Sequence, residues 1–247
     1  MEKIVLNQIS NPGISFTQDA NDKIIALYDF TNMYKDKKST YQIFQNDLIN
    51  NRIFTGSYIR SFIPFLYNAG MINDYNNEIA YDNIFTQNGL LYIKIIKNLK
   101  DAINNNIDLP NLNAIKNDLL CISFDYMIKN KYKFYDKYLD ILEFVKKYKT
   151  INREEFYILE YCIQNNYDCD EYISLFRDGN KEYDIYVISN DGEEINYRRN
   201  NAFNYFISFL SEEQCNYLRH LDQSNYTINY EREKFIDLVL NVKGEVK

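Results

Sequence analysis

The feature that most constrains the fold of this chain is an apolar pattern of helical spacing that occurs twice. Both copies follow the steps i, i+3, i+4 and i+7, and the second begins 144 residues after the first. Such steps place four apolar side chains on one face of a helix, so each copy predicts an amphipathic helix packed on a core. The two stripes, as we call them, are Ile59, Phe62, Ile63 and Leu66, and Phe203, Phe206, Ile207 and Leu210.

A short polar run that carries arginine lies at the start of each stripe helix. The first run is residues 55–60 and the second is residues 197–201. A helix with one apolar face and a polar, arginine-bearing start is what the recognition helix of a helix-turn-helix needs in order to lie in a DNA groove. Two copies of the pattern therefore suggest two such units.

Capping, turn and strand signals around the stripes predict a mainly α fold with small β-hairpins, an α+β class. Around the first stripe, three helices precede a polar hairpin, a returning strand and a further helix, which is the element order of a winged helix. Pro64 removes one backbone hydrogen bond within the third helix, so we expect a kink there. The helices are predicted at 22–34, 40–50 and 56–68, the hairpin at 73–77, the strand at 84–86 and the further helix at 88–99.

The second stripe lies in a similar but longer series of predicted helices and strands. Asn152 is placed to cap a helix, and Asn190-Asp191-Gly192 predicts the tight turn of a β-hairpin. That hairpin is an insertion between the second and third helices, which the first copy lacks. The predicted elements are helices at 135–149, 153–164 and 198–210, a turn at 150–152, strands at 183–189 and 194–197, a second wing around 223–225 and a helix at 231–242.

These elements give two winged-helix subdomains joined by a helical linker. A chain of 247 residues is long enough for two such cores. The predicted boundaries are an N-terminal arm at 1–20, a first winged-helix domain at 21–100, a helical linker at 101–132 and a second winged-helix domain with the inserted β-hairpin at 133–247.

The charge balance argues against a protein that coats nucleic acid without specificity. The net charge is −7, whereas such proteins are basic. Residues 1–130 carry 12 Lys and Arg against 13 Asp and Glu, and residues 131–247 carry 16 against 22, so the second part is the more acidic. Residues 34–60 nevertheless have a local excess of three positive charges, which is compatible with a basic patch.

No catalytic constellation is found in the sequence. His220 is the only histidine, and no GxSxG motif surrounds a serine, so a nucleophilic triad is not indicated. The glutamate pairs at 154–155, 193–194 and 212–213 are adjacent in sequence, and adjacent side chains on a helix diverge by about 100°. Any nuclease activity is therefore expected in a separate domain or subunit.

Neither a metal nor a cofactor is expected. The four cysteines form no CxxC pair, and the glycine motifs that cradle nucleotide phosphates are missing. Unpaired cysteines without a secretory leader are typical of a reducing compartment, and no apolar run approaches membrane length. We therefore expect a cytoplasmic protein without a membrane partner.

The sequence that begins at Ser57 resembles a known family. It reads Ser-Tyr-Ile-Arg-Ser-Phe-Ile-Pro-Phe-Leu-Tyr-Asn-Ala-Gly-Met-Ile, and after the polar hairpin it continues as Phe-Thr-Gln-Asn-Gly at residues 85–89. Its arginine-bearing helix, Pro-Phe-Leu step, glycine-hydrophobic pair and Thr-x-x-Gly turn are similar to the winged-helix units in the target-recognition parts of type II restriction endonucleases. The resemblance extends over residues 39–99 and, in outline, over residues 198–230.

The resemblance implies tandem winged helices that read double-stranded DNA, with cleavage supplied by a nuclease domain or subunit that this chain lacks in recognisable form. By position, the start of the third helix would face base edges, where arginine suits guanine and asparagine suits adenine. Lysines and arginines beside it would hold phosphates. The residues implied are Lys35, Lys37, Lys38, Arg52, Thr55, Ser57, Tyr58, Arg60, Ser61, Asn76 and Asn77 in the first copy, and Arg198, Arg199, Asn200, Asn201 and Asn204 in the second.

Two other functions stay open at the level of sequence. Winged helices also serve as docking surfaces, as in the acidic tandem winged-helix subunits that resemble chromosome-condensation accessory proteins. The acidity of residues 131–247 favours such a protein-interaction module, or an antagonist that occupies the DNA channel of another protein. A plasmid or phage replication initiator of tandem winged-helix type is the third hypothesis, and the charge counts against it because such initiators are usually basic.

Overall fold

The computed structural model describes residues 1–245, and the side chains of residues 1–241. The described chain is mainly helical with small sheets of two or three strands, which confirms the predicted mainly α fold with small β elements. The helices are α1 (Gln18–Met33), α2 (Tyr41–Asn50), α3 (Gly56–Asn68), α4 (Gln87–Asn104), α5 (Pro110–Lys129), α6 (Tyr135–Tyr148), α7 (Arg153–Asn165), α8 (Cys169–Arg177), α9 (Ala202–Leu210) and α10 (Glu233–Glu245). The strands are β1 (Glu2–Leu6), β2 (Lys38–Ser39), β3 (Ile79–Ala80), β4 (Thr150–Ile151), β5 (Tyr183–Ile188), β6 (Glu194–Asn196), β7 (Leu218–His220) and β8 (Tyr226–Ile228).

The chain divides into two compact units. The first unit comprises residues 13–135 and 212–216. The second unit comprises residues 1–12, 136–211 and the described chain from residue 217 onward. Each unit contains one of the two stripes, so each has its own buried helix at the centre of a core.

In the first unit, α1, β2, α2 and α3 precede the first hairpin, a loop that contains β3 and is closed by an isolated antiparallel bridge between Ile72 and Phe85. β2 pairs antiparallel with β3, with Lys38 opposite Ala80, so the returning strand lies at Ile79–Ala80 and not at the predicted residues 84–86. The chain that returns from the hairpin therefore pairs both with β2 and with the segment that leaves α3. All four residues of the first stripe are fully buried, as their spacing predicts.

Helix α3 is continuous through Pro64 and is followed by the predicted glycine. Gly70 has a φ of +67°, the left-handed conformation that ends many helices and that glycine adopts without a steric penalty. The Met71 N–H donates to the Leu66 carbonyl at 2.9 Å, and the Thr86 hydroxyl donates to the Gly70 carbonyl at 2.6 Å. The end of α3 is thus fixed to the residue that precedes α4.

The second unit repeats this order with an insertion. α6, β4, α7 and α9 are followed by the hairpin of β7 and β8. β8 lies between β4 and β7 and is antiparallel to both. α8 and the predicted hairpin of β5 and β6 stand between α7 and α9, and the second stripe is buried along α9.

The start of α7 is held by a network of polar groups. Asn152 caps the helix as predicted: its side chain accepts from the Glu155 N–H at 2.9 Å, and the Glu155 carboxylate accepts from the Asn152 N–H at 3.0 Å. This reciprocal pair is a capping box. Arg177 of α8 donates to the Glu155 carboxylate at 2.7 Å and to the carbonyls of Tyr148 and Thr150 at 2.8 and 3.0 Å. One guanidinium therefore joins α8 to α6, β4 and α7.

The structure differs from the expected N-terminal arm at residues 1–20. Glu2–Leu6 forms β1, which pairs parallel with β5, with Ile4 opposite Ile185. Ile4 and Leu6 are fully buried, since alternate side chains of a strand point to the same face. The partner strand, β5, lies about 180 residues away in the sequence, so local sequence signals do not reveal the pairing.

Other boundaries also shift for identifiable reasons. α1 begins at Gln18, earlier than expected, because the Thr17 side chain caps it through the Ala20 N–H. The residues expected as a helical linker contain α5, whose Leu120, Phe124 and Met127 are buried within the first unit. In the second unit, β4 replaces the turn expected at 150–152, and α9 begins four residues late because residues 197–199 form a 3-10 turn.

Candidate nucleic-acid interface

The start of α3 presents a polar surface opposite the buried first stripe. Ser57, Arg60 and Ser61 are exposed, and they lie on the helix face that the stripe does not use. Thr55 is the N-cap residue, and its exposed side chain makes no capping hydrogen bond. The structure thus brings four of the predicted base-reading and positioning residues together at one helix end.

Tyr58 does not share this exposure. It is half-buried, with its ring stacked at 5.9 Å on that of Phe54 and tilted at 5.0 Å against that of Phe62. The Lys23 ammonium lies 4.0 Å from the centre of the Tyr58 ring, a cation–π contact that covers another side of it. Tyr58, predicted to face base edges, is therefore committed to packing the start of α3 on its neighbours.

The predicted phosphate-binding cations fall into two groups. Lys35 and Arg52 are exposed, and neither has a carboxylate partner among the side chains described, those of residues 1–241. Lys37 forms an ion pair with Asp47 at 2.5 Å, and Lys38 lies 3.3 Å from a carboxylate oxygen of Glu78. The paired lysines retain less free charge for phosphate, so Lys35 and Arg52 are the stronger candidates.

Asp47 also accepts a hydrogen bond from the Tyr81 hydroxyl at 2.6 Å. Partial burial acts to raise the pKa of the Asp47 carboxyl, but its hydrogen bonds with Lys37 and Tyr81 outweigh burial and lower that pKa. Burial, together with the bond to Asp47, raises the pKa of Tyr81 to about 12. The Lys37–Asp47–Tyr81 group is therefore a stable structural element that joins α2 to the hairpin.

The tip of the first hairpin is organised by a carboxylate that the sequence analysis did not single out. Asn76 donates from its backbone and side chain to Asp74 at 2.9 Å, and the Asn77 side chain donates to Asp74 at 2.9 Å. Tyr75 packs its ring 4.8 Å from Tyr41 and 5.4 Å from that of Tyr67. The hairpin is thereby fixed against α2 and α3, while both predicted asparagines serve to hold its turn.

In the second unit, the predicted residues separate into exposed and structural ones. Arg199 and Asn201 are exposed just before α9, and Arg199 makes no ion pair within the described chain. Arg198 is also exposed, and its Nε donates to the Tyr197 hydroxyl at 3.3 Å. The three residues form the arginine-bearing start that precedes the second stripe.

Asn200, predicted to read bases, has both of its oxygens engaged in bonds within the fold. Its side-chain oxygen accepts from the Ala202 N–H at 2.9 Å and from the Tyr157 hydroxyl at 3.0 Å. The carbonyl of Asn200 accepts from the same hydroxyl at 2.9 Å. These bonds connect α7 to the beginning of α9, and they leave the amide oxygen of Asn200 unavailable to a base.

We expect the variant Asn200→Ala to lose about 1–3 kcal/mol of unfolding free energy, because the Ala202 N–H loses its acceptor and the Tyr157 hydroxyl keeps only the backbone carbonyl of residue 200. Urea unfolding followed by circular dichroism measures this loss. The neighbouring Asn201→Ala is the matched control, since Asn201 is exposed and its side chain makes no capping bond; its stability should lie within about 0.5 kcal/mol of the parent. Equal stabilities of the two variants would contradict the structural role of Asn200.

Arg153 is a residue of this region that the sequence analysis missed. At the first position of α7, its guanidinium donates to the carbonyls of Arg198 and Asn200 at 3.3 and 3.4 Å and to the side-chain oxygen of Asn204. It therefore holds the loop before α9 and occupies the acceptor of Asn204. An arginine at the start of a helix is usually solvated, so no local sequence signal indicates that Arg153 contacts the loop before α9.

A cleft of about 510 Å³ lies between the start of α7, the start of α9 and the turn of the second hairpin. Glu154 lies within it, and burial raises the pKa of this carboxyl despite its hydrogen bond with Tyr197 and the nearby charge of Arg198. The cleft thus combines a carboxylate, a guanidinium and amide groups. Its lining residues are Asn152, Arg153, Glu154, Tyr197, Phe203, Asn204, Gln223, Ser224 and Tyr226.

Comparison with known proteins gives no independent assignment: no family model, curated protein or solved structure matches this chain. Among the described residues, no group of three or more His, Cys, Asp or Glu side chains is arranged to hold a metal ion. No helix in that part of the chain combines the length and apolarity needed to cross a membrane. The starts of the two third helices and their hairpins are therefore the features of this chain that bear on its function.

Proposed function

We propose that the chain binds double-stranded DNA sequence-specifically through two winged-helix units. Each unit has the order helix, strand, helix, third helix and β-hairpin, and the second contains an insertion. In a winged helix, the third helix enters the major groove and the hairpin contacts the DNA beside it. The repeated topology gives the chain two surfaces suited to such docking.

One observation carries this proposal: both third helices bury an apolar stripe and expose an unpaired arginine at their start. Arg60 and Arg199 are exposed and have no carboxylate partner among the side chains of residues 1–241. An arginine held close to a protein carboxylate is neutralised, whereas a free guanidinium offers its two-donor edge to guanine O6 and N7. Because the chain as a whole is acidic, two exposed arginines without a carboxylate partner are a stronger indication of an anionic ligand than they would be in a basic chain.

Exposure and ion pairing guide the choice of residues that we propose to contact DNA. In the first unit, we propose that the exposed residues Ser57, Arg60 and Ser61 read bases and that Lys35 and Arg52 supply charge for phosphates. In the second unit, the exposed residues Arg198, Arg199 and Asn201 have the corresponding place. Because only a few cations can contact phosphates, we expect the affinity for DNA to depend weakly on salt concentration. Each phosphate contact adds less than one unit to the slope of log K against the logarithm of the salt concentration.

A narrower proposal is that the chain is the target-recognition part of a restriction-type system. Its support is the resemblance of residues 57–72 and 85–89 to restriction-enzyme recognition units. Cleavage would then depend on a separate nuclease domain or subunit.

The decisive experiment is selection of bound duplexes from a random pool by the purified chain at about 50 mM salt, followed by sequencing. Enrichment of one motif supports sequence-specific binding, and a motif of two half-sites indicates that both units contact DNA. Failure to enrich or shift any duplex at this salt concentration would refute the proposed function.

Arg60→Ala is expected to weaken binding of the selected duplex by about 1–3 kcal/mol, or about 5- to 150-fold in Kd, because a bidentate contact to guanine is lost. The matched control is Lys94→Ala, which removes an exposed cation from α4 and should change Kd by less than about threefold. Fluorescence anisotropy measures both values. Arg199→Ala tests the second unit in the same way, and an unchanged Kd for Arg60→Ala would exclude this arginine from base reading.

The second candidate function is docking of a protein partner. It is favoured by the acidity of residues 131–247 and by the Asp74 carboxylate at the tip of the first hairpin, where phosphate would be repelled. Affinity purification that yields one stoichiometric partner, together with no enrichment in the duplex selection, would support this function and exclude the first.

A further inference from the structure

The first unit contains a cavity that the proposed DNA interface does not use. It has a volume of about 190 Å³ and lies between α1, α4, the loop at residues 105–109 and the start of α5. All the residues that line it belong to the first unit. Since a protein cavity of about 150 Å³ holds benzene, this one has room for a molecule of about six to eight non-hydrogen atoms.

The loop that covers one side of the cavity is fixed by backbone bonds. Asn106 adopts the left-handed conformation with φ +55°, and the Ile107 N–H donates to the Ala102 carbonyl at 2.8 Å. The Leu109 carbonyl then accepts from the Leu112 N–H at 3.1 Å in the first turn of α5. The loop is therefore held against the end of α4, and the cavity is formed without a ligand.

Much of the cavity wall is aliphatic. Ile96 is buried, and Ile25 and Leu99 are half-buried. Ile103 and Ile107 also line the cavity, yet they are 65% and 55% exposed, so they lie at its opening. Pockets for small molecules are mostly apolar and contain a few polar groups that fix the orientation of the ligand. The aliphatic wall and opening thus suit a ligand with a hydrocarbon part.

A hydrogen-bond donor in the cavity has no acceptor. Asn21 of α1 lines the cavity and is only 9% exposed, and its side-chain oxygen accepts from the buried Tyr92 hydroxyl at 2.8 Å. The amide nitrogen of Asn21 donates to no group in the described part of the chain. Because a buried donor without a partner costs free energy, this amide favours a ligand that offers an oxygen.

Lys116 of α5 adds a positive charge that has no close counter-charge. It lines the cavity, is half-buried and has no carboxylate within 4 Å among the side chains of residues 1–241. Burial lowers the pKa of the Lys116 ammonium, and the nearby charge of Glu213 offsets only part of this effect. Lys100 also lines the cavity but is paired with Asp22 at 2.7 Å, and the lining residue Asp108 is exposed to solvent. An anionic group beside Lys116 would supply the missing counter-charge.

We propose that this cavity binds a short-chain monocarboxylate. The carboxylate accepts from the Asn21 amide and the Lys116 ammonium, and the hydrocarbon chain lies against the aliphatic wall. A carboxylate suits this pair of donors because hydrogen bonds between charged groups are the strongest that a small ligand can form. This inference is independent of the proposed DNA binding.

Isothermal titration calorimetry of the full chain with sodium hexanoate tests the proposal, and hexanamide is the matched ligand because it has the same chain length and no charge. We expect the Kd of hexanoate to be at least about tenfold lower than that of hexanamide. Equal affinities for the two compounds, or no binding of hexanoate at about 10 mM, would overturn the proposal.

A variant places the ligand in the cavity. Lys116→Met removes the charge and keeps the apolar stem, so it should weaken hexanoate binding at least about tenfold. Lys94→Met is the matched control, since Lys94 is an exposed cation of α4 that does not line the cavity, and it should leave the Kd within about twofold of the parent.

Protection from acetylation gives the same information without a variant. In the parent chain treated with limiting acetic anhydride and mapped by mass spectrometry, saturating hexanoate should slow acetylation of Lys116 and leave that of Lys94 unchanged. An unaltered rate at Lys116 would overturn the proposal, even if Lys116→Met does not fold.

Discussion

Replacing Gly89 with alanine is expected to destabilise the first unit by about 3 kcal/mol or more. Gly89 is in the first turn of α4, and a Cβ atom built there lies 2.0 Å from the carbonyl oxygen of Met71 and 2.9 Å from its carbonyl carbon. Both atoms belong to the backbone, so no side-chain rotation relieves the clash. The segment that leaves α3 or the start of α4 has to move.

Thermal unfolding followed by circular dichroism tests this expectation. A loss of 3 kcal/mol corresponds to a fall of about 6–12 °C in Tm for a chain of this size. Gly56→Ala is the matched control: Gly56 is also in the first turn of a helix, but a Cβ there lies 3.6 Å from Ile49, an ordinary contact. It should leave stability unchanged or raise it by about 0.5 kcal/mol. A Tm for Gly89→Ala within about 2 °C of the parent would contradict the predicted clash.

The contacts of Gly89 explain why the Thr-x-x-Gly sequence occurs after the hairpin. The Thr86 hydroxyl accepts from the Gly89 N–H at 3.1 Å and donates to the Gly70 carbonyl at 2.6 Å. The Thr86 N–H donates to the Met71 carbonyl at 3.1 Å. Threonine and glycine therefore join the end of α3 to the start of α4. The motif that suggested a DNA-reading unit therefore has a structural role in this fold.

Elements with local signals could be predicted from the sequence. The two stripes needed only helical spacing, Asn152 needed only its capping position, and the turn at 190–192 needed only its residue types. The same local signals placed both hairpins beside third helices. In each case the interactions that form the element join residues close together in the chain.

Elements that depend on distant partners could not be predicted in this way. β1 pairs with β5 across the chain, and the contacts of Arg153 with the loop before α9 span more than forty residues. The distinction between Asn200 and Asn201 also depends on Tyr157, a residue of another helix. A polar residue at a helix start has the same sequence signal whether it faces solvent or supports the fold. The candidate site could therefore be located from the sequence, but its exposed and structural members could not be separated.

Lys137→Met is expected to destabilise the second unit by about 3–5 kcal/mol, because it leaves a buried charge without its partner. Lys137 of α6 forms an ion pair with Glu160 of α7, whose side chain is only 3% exposed. Lys146→Met, which breaks an exposed pair with Asp237, is the matched control and should cost less than about 1 kcal/mol. Urea unfolding measures both.

The pH dependence of Lys137→Met gives an independent check. Burial raises the pKa of the Glu160 carboxyl above 4.5, even though Lys137 acts to lower it. Between the unfolded and folded pKa values the folded chain binds more protons than the unfolded chain, so this group makes stability fall as pH rises. Without Lys137 the folded pKa rises further and the fall extends to higher pH. The loss of unfolding free energy in Lys137→Met relative to the parent should therefore be larger at about pH 8 than at about pH 5.

Adding Glu160→Gln to Lys137→Met should recover most of the lost stability, since the buried charge is then removed together with its partner. In this double variant, the loss of unfolding free energy relative to the parent should also be the same at about pH 5 and at about pH 8. A deficit that is the same at both pH values, or that Glu160→Gln does not reduce, would assign the loss to the packing of the Lys137 stem instead of to the buried carboxylate.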